Sequence, residues 1–309
     1  MLNHLEIPES TPNQLVAVIS GVSLYVKRED QIHAEVSGNK YRKLKYNLEE
    51  AREEGQSTLL TFGGAYSNHI AATAAAGKYC GFKTIGIIRG EELGENLPKT
   101  LRENPTLKFA QACGMTLKFV SRYKYREKDG DNMFRELREE FGEFFLLPEG
   151  GTNPRAIQGC QEILTKEDVD FDVICCPVGT GGTMAGLINA SEAHQKILGF
   201  PALKGNFLET EIGKYTWQDN WELNYDYHFG GYAKVDKKLI DFINDFRYEY
   251  KIPLDPIYTG KMMYGVFDLI KNGHFQENQR ILAVHTGGLQ GIAGMNRRLR
   301  EKAFPLIAI

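Results

Sequence analysis

One lysine in this chain sits where its chemistry would change. In Ser37-Gly38-Asn39-Lys40-Tyr41-Arg42-Lys43-Leu44 a small, turn-prone triplet runs straight into an amphipathic stretch, which puts Lys40 at or near a helix N-terminus. There the positive end of the helix dipole favours the neutral amine, the form that attacks a carbonyl to make an imine and later takes up a proton. Taken alone, the plainer reading is a solvated lysine in a basic first turn. What the segment means depends on what else the chain brings to it.

Three further motifs have the right residue types. Gly63-Gly64-Ala65-Tyr66-Ser67-Asn68-His69 opens the Ala-rich run IAATAAAG. Ser67 and Asn68 are good N-cap residues, and the bare amides of such a turn can cradle a carboxylate, although the same residues also serve as a simple cap. Gly179-Thr180-Gly181-Gly182-Thr183 precedes the helix-like MAGLINA. Its glycines let main-chain N–H groups converge on a phosphate while the threonines add donors. It lacks the GK[ST] ending of a nucleotide loop, and a tight packing turn explains it almost as well. The fourth motif pairs Asp255-Pro256-Ile257-Tyr258-Thr259-Gly260-Lys261 with His285-Thr286-Gly287-Gly288. A tyrosine there could lie against a planar ring and a threonine could bond a ring nitrogen, yet each segment is separately a commonplace turn.

The elements that must hold these turns alternate along the chain. Apolar runs at 58–62, 83–88, 115–119, 144–148, 172–178 and 281–285 lack polar alternation, as parallel strands buried on both faces do. Between them, helical patterns span 41–55, 132–142, 153–167 and 260–273, several ending on glycine. The class is α/β, wound on both faces, and such sheets bind ligands beyond the strand C-termini, where the four motifs lie. The stretch 203–231 is the least regular and most aromatic; loops and a short strand are expected there.

Composition narrows the partners. The 309 residues are 42% hydrophobic and 25% charged with a net charge of −3, so no basic field attracts nucleic acid or anionic lipid; a small molecule or a second copy of the chain is expected. Cys80, Cys113, Cys160, Cys175 and Cys176 are odd in number and lack CxxC spacing, which reads as reduced core thiols. Cys175 and Cys176, inside the apolar DVICCPV, read as buried and inert rather than as a thiol site. No apolar run approaches the roughly 20 residues of a membrane span, and the start has no basic-then-apolar layout, so a cytoplasmic location is expected.

Together, in this order and over nearly the whole chain, the four motifs closely resemble the pyridoxal-phosphate (PLP) dependent family of D-cysteine desulfhydrases and 1-aminocyclopropane-1-carboxylate (ACC) deaminases. That family carries its cofactor lysine in GGNK-x-RKL, which SGNKYRKL matches at Lys40 with Ser37 for a glycine, after a family-like KRED at 27–30. The resemblance implies that Ser67, Asn68 and His69 hold the substrate carboxylate and the cofactor's ring hydroxyl. Gly179, Thr180, Gly181, Gly182 and Thr183 would bind the phosphate. Tyr258 would lie near ring and substrate, Tyr232 of FGGYAK would be a second active-site tyrosine, and Thr286 would stand beside the pyridine nitrogen. ACC deaminases resemble Tyr-Glu-Gly and His-Leu-Gly-Gly where this chain reads Tyr258-Thr259-Gly260 and His285-Thr286-Gly287, so Thr259 is expected near the substrate as a neutral hydroxyl. A carboxylate beside the pyridine nitrogen keeps it protonated; a hydroxyl makes a weaker electron sink, sufficient for β-elimination but poorly matched to opening a cyclopropane.

The expectation is therefore two open, twisted, mostly parallel sheets with helices on both faces. Residues 1–42 and 148–309 would form a large PLP domain, 43–147 a smaller inserted domain, with the cofactor in the cleft between them; the resemblance implies a homodimer. Lys40 would carry the cofactor, exchange with the substrate amine and then remove the α-proton, turning D-cysteine into pyruvate, ammonia and hydrogen sulfide. Tyr258 or Tyr232 would protonate the departing sulfur. The competing readings are an ACC deaminase, a lyase or racemase acting on another small amino acid, and a silent PLP or amino-acid binding protein.

Overall fold

A computed structural model describes residues 10–308. In chain order its strands are β1 (Asn13–Ile19), β2 (Val22–Lys27), β3 (Thr58–Gly64), β4 (Lys83–Arg89), β5 (Thr116–Val120), β6 (Phe145–Leu147), β7 (Val173–Val178), β8 (Lys196–Pro201), β9 (Trp221–Leu223) and β10 (Arg280–Val284). The helices are α1 (Asn39–Glu53), α2 (Asn68–Cys80), α3 (Leu97–Glu103), α4 (Pro105–Ala112), α5 (Arg122–Arg126), α6 (Asp131–Phe141), α7 (Pro154–Gln161), α8 (Gly182–Ala190), α9 (Leu208–Gly213), α10 (Lys237–Tyr250), α11 (Thr259–Lys271) and α12 (Gly291–Glu301). The strands form one sheet ordered β1-β2-β10-β7-β8-β9 and another ordered β5-β4-β3-β6. Only β1 and β2 pair antiparallel among the described residues; the other ladders are parallel.

Burial on both faces explains the unbroken apolar runs. In β7 and β10, Val173, Cys175, Ile281 and Ala283 pack into a core under α10 and α11. The alternate residues Ile174, Cys176, Leu282 and Val284 turn to the opposite core, against α7 and α8. The period of two thus feeds two helical layers, each fully buried aliphatic side chain contributing about 1.5–3 kcal/mol. The smaller sheet is built alike, with Leu59 and Leu147 facing α1 and α2 while Leu60, Phe62, Ile85 and Ile87 face Tyr125, Met133 and Leu137. Alanines and Gly77 bring α2 close to its sheet: a Cβ on Gly77 would stand 2.2 Å from Thr84 Cγ2.

All six expected strands form, to within a residue or two at their ends. Three others were not foreseen: the hairpin β1–β2, whose two-residue turn places Ser20 and Gly21 at φ 51° and 78°, and the strand β8, while β9 is the short strand expected within 203–231. The helix expected over 153–167 stops at Gln161. The irregular stretch holds the short helix α9 as well as the strand β9. The strands of the smaller sheet lie between 58 and 147. The expected break at 42/43, however, falls inside α1, a continuous helix whose Tyr41, Leu44, Leu48 and Ala51 pack against Leu59, Ala72 and Leu147. No described helix is long and apolar enough to cross a membrane.

Candidate active site

The frame comes first. Lys27, fully buried, pairs with Asp168 at 2.8 Å. Arg42 of α1 meets both carboxylate oxygens of the buried Glu29 at 3.0 Å. That two-point contact, together with the bond from Gly38 N–H to the Glu29 carbonyl, fixes the entry to α1. Gly38 has φ 64°, and a Cβ there would stand 2.0 Å from the Thr286 carbonyl oxygen. Only glycine allows the 37–40 turn to pass beneath the 285–288 turn, with the Asn39 amide bonded to the same carbonyl at 3.3 Å.

Lys40 is accordingly the second residue of α1. Its Nζ donates to the Gly150 carbonyl at 3.0 Å, and Lys43, one turn on, donates to the same oxygen at 3.1 Å and to Thr152 Oγ1 at 2.9 Å. Neither amine forms an ion pair among the described residues. Burial, and then the neighbouring Lys43 charge, pulls the Lys40 amine well below the usual lysine value. Burial also lowers Lys43. The neutral, nucleophilic form expected from the helix terminus is thus favoured, with desolvation as the main cause.

The glycine-rich turn stands beside this pair of amines. Thr180 Oγ1 lies 2.7 Å from Thr152 Oγ1, and Asn39 Nδ2 donates to Thr183 Oγ1 at 2.8 Å. Gly181, at φ 85°, and Gly182 lead into α8, so free helix N–H groups face the space that Lys43 borders. Gly179 supports the ring of Tyr258, whose Cε1 would lie 3.1 Å from a Cβ at that glycine. Tyr258 and Tyr232 meet edge to face at 6.3 Å. Burial, followed by the Tyr232 hydroxyl and the Asp255 charge, pushes the Tyr258 hydroxyl well above its ordinary value.

On the far wall, Ser67 caps α2 by accepting from Ile70 N at 3.4 Å. Asn68 approaches Gly288, where a Cβ would be 2.6 Å from its Nδ2, and bonds Gln290. His69 is buried against Gly151, its ring nitrogens short of a well-formed hydrogen bond and the Pro148 backbone their weak partner. Burial, then the Lys40 and Lys43 charges, drives its imidazole well below the usual range. Two predicted residues sit differently from the rest. Tyr232 is 46% exposed at the rim. Thr259 is wholly buried, with its hydroxyl donating to Asp255 Oδ2 at 2.7 Å and accepting from the Asp255 N–H at 2.9 Å, so it faces that carboxylate rather than open space.

Sequence reasoning overlooked the turn at 149–152. Gly150 and Gly151, at φ 71° and 72°, carry the carbonyl that both lysines share and abut Thr180 and His69. The signal was present, because Gly150-Gly151-Thr152 follows β6 just as the glycine-rich turn follows β7. Lys43 was equally readable as the i+3 neighbour of Lys40 on one helical face. Taken together, two neighbouring amines without a carboxylate, a buried imidazole and a helix N-terminus opened by glycines fit a phosphorylated aldehyde. Lys40 would hold its carbonyl carbon, and Lys43 with residues 179–183 its phosphate.

Comparison with known proteins gives the same result. A sequence profile of the pyridoxal-phosphate dependent enzymes matches residues 10–287. A Pyrococcus abyssi protein named "Putative 1-aminocyclopropane-1-carboxylate deaminase" is 33% identical, covering 96% of this chain and 94% of its own. The Arabidopsis thaliana mitochondrial bifunctional D-cysteine desulfhydrase/ACC deaminase is 28% identical, over 94% of this chain and 78% of its own. The crystal structure of an ACC deaminase homologue superposes with a TM-score of 0.83 at 30% identity, covering 97% of this chain and 95% of that one. A hydrogen sulfide-producing enzyme of Fusobacterium nucleatum shares the fold, with a TM-score of 0.68 at 17% identity over 94% and 99%. With the motifs, their convergence on one buried amine and this likeness along almost its full length, the chain belongs to the pyridoxal-phosphate dependent enzymes.

Proposed function

We propose that the enzyme eliminates the β-substituent of a small amino acid and deaminates it, with D-cysteine as substrate and pyruvate, ammonia and hydrogen sulfide as products. The observation that carries this reading is the Lys40 amine: part-buried, without a carboxylate partner among the described residues, at the head of α1 and beside the 179–183 turn. When bound, the cofactor supplies an electron sink that makes the α-hydrogen acidic. Lys40, biased toward its neutral form, takes that proton. The Cβ–S bond then breaks with its electron pair on sulfur, and Tyr258, held protonated by its surroundings, can donate to the departing thiolate while Tyr232 faces it from the rim. Water completes the balance: one D-cysteine and one water give one pyruvate, one ammonia and one hydrogen sulfide.

The backbone turn at Ser67, Asn68 and His69 is assigned to the substrate carboxylate, which would fix the face of the α-carbon that meets Lys40. Thr259 puts a hydroxyl where ACC deaminases carry a glutamate, which supports elimination over ring opening. The names of the relatives favour ACC deamination as the second reading. Supplying D-cysteine, L-cysteine and ACC to the PLP-loaded protein, and measuring sulfide, pyruvate and 2-oxobutyrate, separates the two. Sulfide and pyruvate from D-cysteine are expected, and Lys40→Ala should lower that rate by about 10²–10⁴-fold and abolish the cofactor–lysine absorption band. A Lys40→Ala protein that keeps the wild-type rate, or 2-oxobutyrate as the dominant product, overturns the assignment. The homodimer belongs to the same proposal, and sedimentation checks it.

A further inference from the structure

Beside the site lies a cavity of about 460 Å³ that the proposed reaction leaves unused. Gly64, Ala65 and Tyr66, immediately ahead of Ser67, form part of its wall, and Arg297 of α12 another. Four guanidinium groups line it, those of Arg89, Arg122, Arg126 and Arg297, against the two carboxylates of Glu92 and Glu103. Arg122 is engaged by Glu92 and Arg297 by Glu103. Arg89 and Arg126 have no ion pair among the described residues. In a chain of net charge −3, this is a local excess of positive charge around a cavity that opens to solvent.

The position of Arg89 ties that charge to the chemistry. It is the last residue of β4 and pairs in register with Gly64 of β3, at the strand C-termini where open α/β sheets receive ligands. Its Nη2 is 3.7 Å from where a Gly64 Cβ would stand, so the glycine leaves room for the side chain to reach past β3. The guanidinium rests over the Tyr125 ring at 5.5 Å, which orients it. Its charge also acts on the Tyr232 hydroxyl, part of the tyrosine pair at the site's rim.

We infer that this cavity recognises a second anionic group, a phosphate or carboxylate, on the side chain of the amino-acid substrate, with Arg89 and Arg126 as the specificity-determining residues. The inference rests on the proposed function and adds a second class of substrate to the same chemistry. For an O-phosphorylated serine, the Cα–H and Cβ–O bonds break, the oxygen leaves with its electron pair as phosphate, and one water yields pyruvate and ammonia. A guanidinium matches such oxyanions through paired N–H donors.

The test uses the PLP-loaded enzyme and charged–neutral pairs, O-phosphoserine against O-acetylserine and aspartate against asparagine, in both enantiomers. Affinity is read from the change in cofactor absorbance and turnover from pyruvate. In the wild type the anionic member of at least one pair should bind roughly tenfold or more tightly, the effect of one charge-assisted hydrogen bond. Arg89→Gln and, separately, Arg126→Gln should each shrink that ratio, and the double variant should bring it to about one, while the cofactor spectrum without amino acid stays that of the wild type. Equal binding within both pairs in the wild type, or variants that weaken both members alike, overturns the inference. If D-cysteine is turned over but no pair shows a preference, only this inference fails. If no lysine-bound cofactor band forms, the proposed function falls and takes the inference with it.

Discussion

Two sets of buried basic side chains lie within one turn of α1 and are treated in opposite ways. Arg42, like Lys27 behind it, is locked to a buried carboxylate, Glu29 in one case and Asp168 in the other. Lys43 is just as deep and Lys40 part-buried, but among the described residues both meet the Gly150 carbonyl, and Lys43 the Thr152 hydroxyl, rather than a carboxylate. Burying an amine beside neutral acceptors costs stability that an ion pair would partly return. The chain therefore balances its buried charge where the charge holds the frame and leaves it unbalanced where a ligand is to bring the negative charge. The contrast agrees with the site proposed from the motifs.

Breaking the paired side should cost the most. Glu29→Ala leaves Arg42, 1% exposed, with only the longer contact to Glu162 at 3.7 Å, and should destabilise the fold by about 3–5 kcal/mol in urea denaturation. A loss below about 1 kcal/mol would mean that the pair is solvated and the contrast false. The unpaired side should respond with opposite signs in two measurements. Lys43→Met removes an uncompensated buried amine and should leave the cofactor-free protein at least as stable as the wild type. Its affinity for PLP should fall by about 1.5–3 kcal/mol, the worth of a hydrogen bond to a charged group, or roughly 10- to 150-fold. PLP titration followed by absorbance checks this, and unchanged affinity would place the phosphate away from Lys43.

The same contrast marks what the sequence could disclose. Strands buried on both faces, such as β3 and β7, were legible because every residue in them is apolar or small. The hairpin β1–β2 was not, because β1 lies at a sheet edge and leaves Leu15 and Val18 half exposed or more, which breaks the run. Its Ser20-Gly21 turn was a usable sign, since two-residue hairpin loops favour residues that accept positive φ. At the site, Lys40, the turn at 67–69 and the loop at 179–183 could be read from local turn chemistry. That the Gly150 carbonyl would join both lysines could not, because it depends on β6 ending opposite α1, a relation between residues more than 100 apart in the chain. Thr259 misled for a local reason instead: its hydroxyl is committed to Asp255, four residues earlier, once the 255–259 turn closes.

Lys261 extends the comparison to a third amine without an ion pair among the described residues and yields the mildest effect, one of pH. Its Nζ donates to the carbonyls of His228 and Gly231, the segment that leads into Tyr232, and burial, only partly offset by the Asp255 charge, lowers its pKa to about 8 from 10.5. Because the folded state disfavours the charged form, the cost is fully present below about pH 8 and fades as pH rises through 10.5, where the unfolded chain also loses its proton. Between those limits the unfolded state binds more protons, so the wild type should gain stability relative to Lys261→Met as pH rises, by at most about 1.4 kcal/mol per pH unit. Urea denaturation of both proteins at pH 7.5, 8.5 and 9.5 measures the slope. A flat difference across that series would mean that Lys261 stays charged in the fold, compensated like Lys27 rather than exposed to the cost that Lys40 and Lys43 carry.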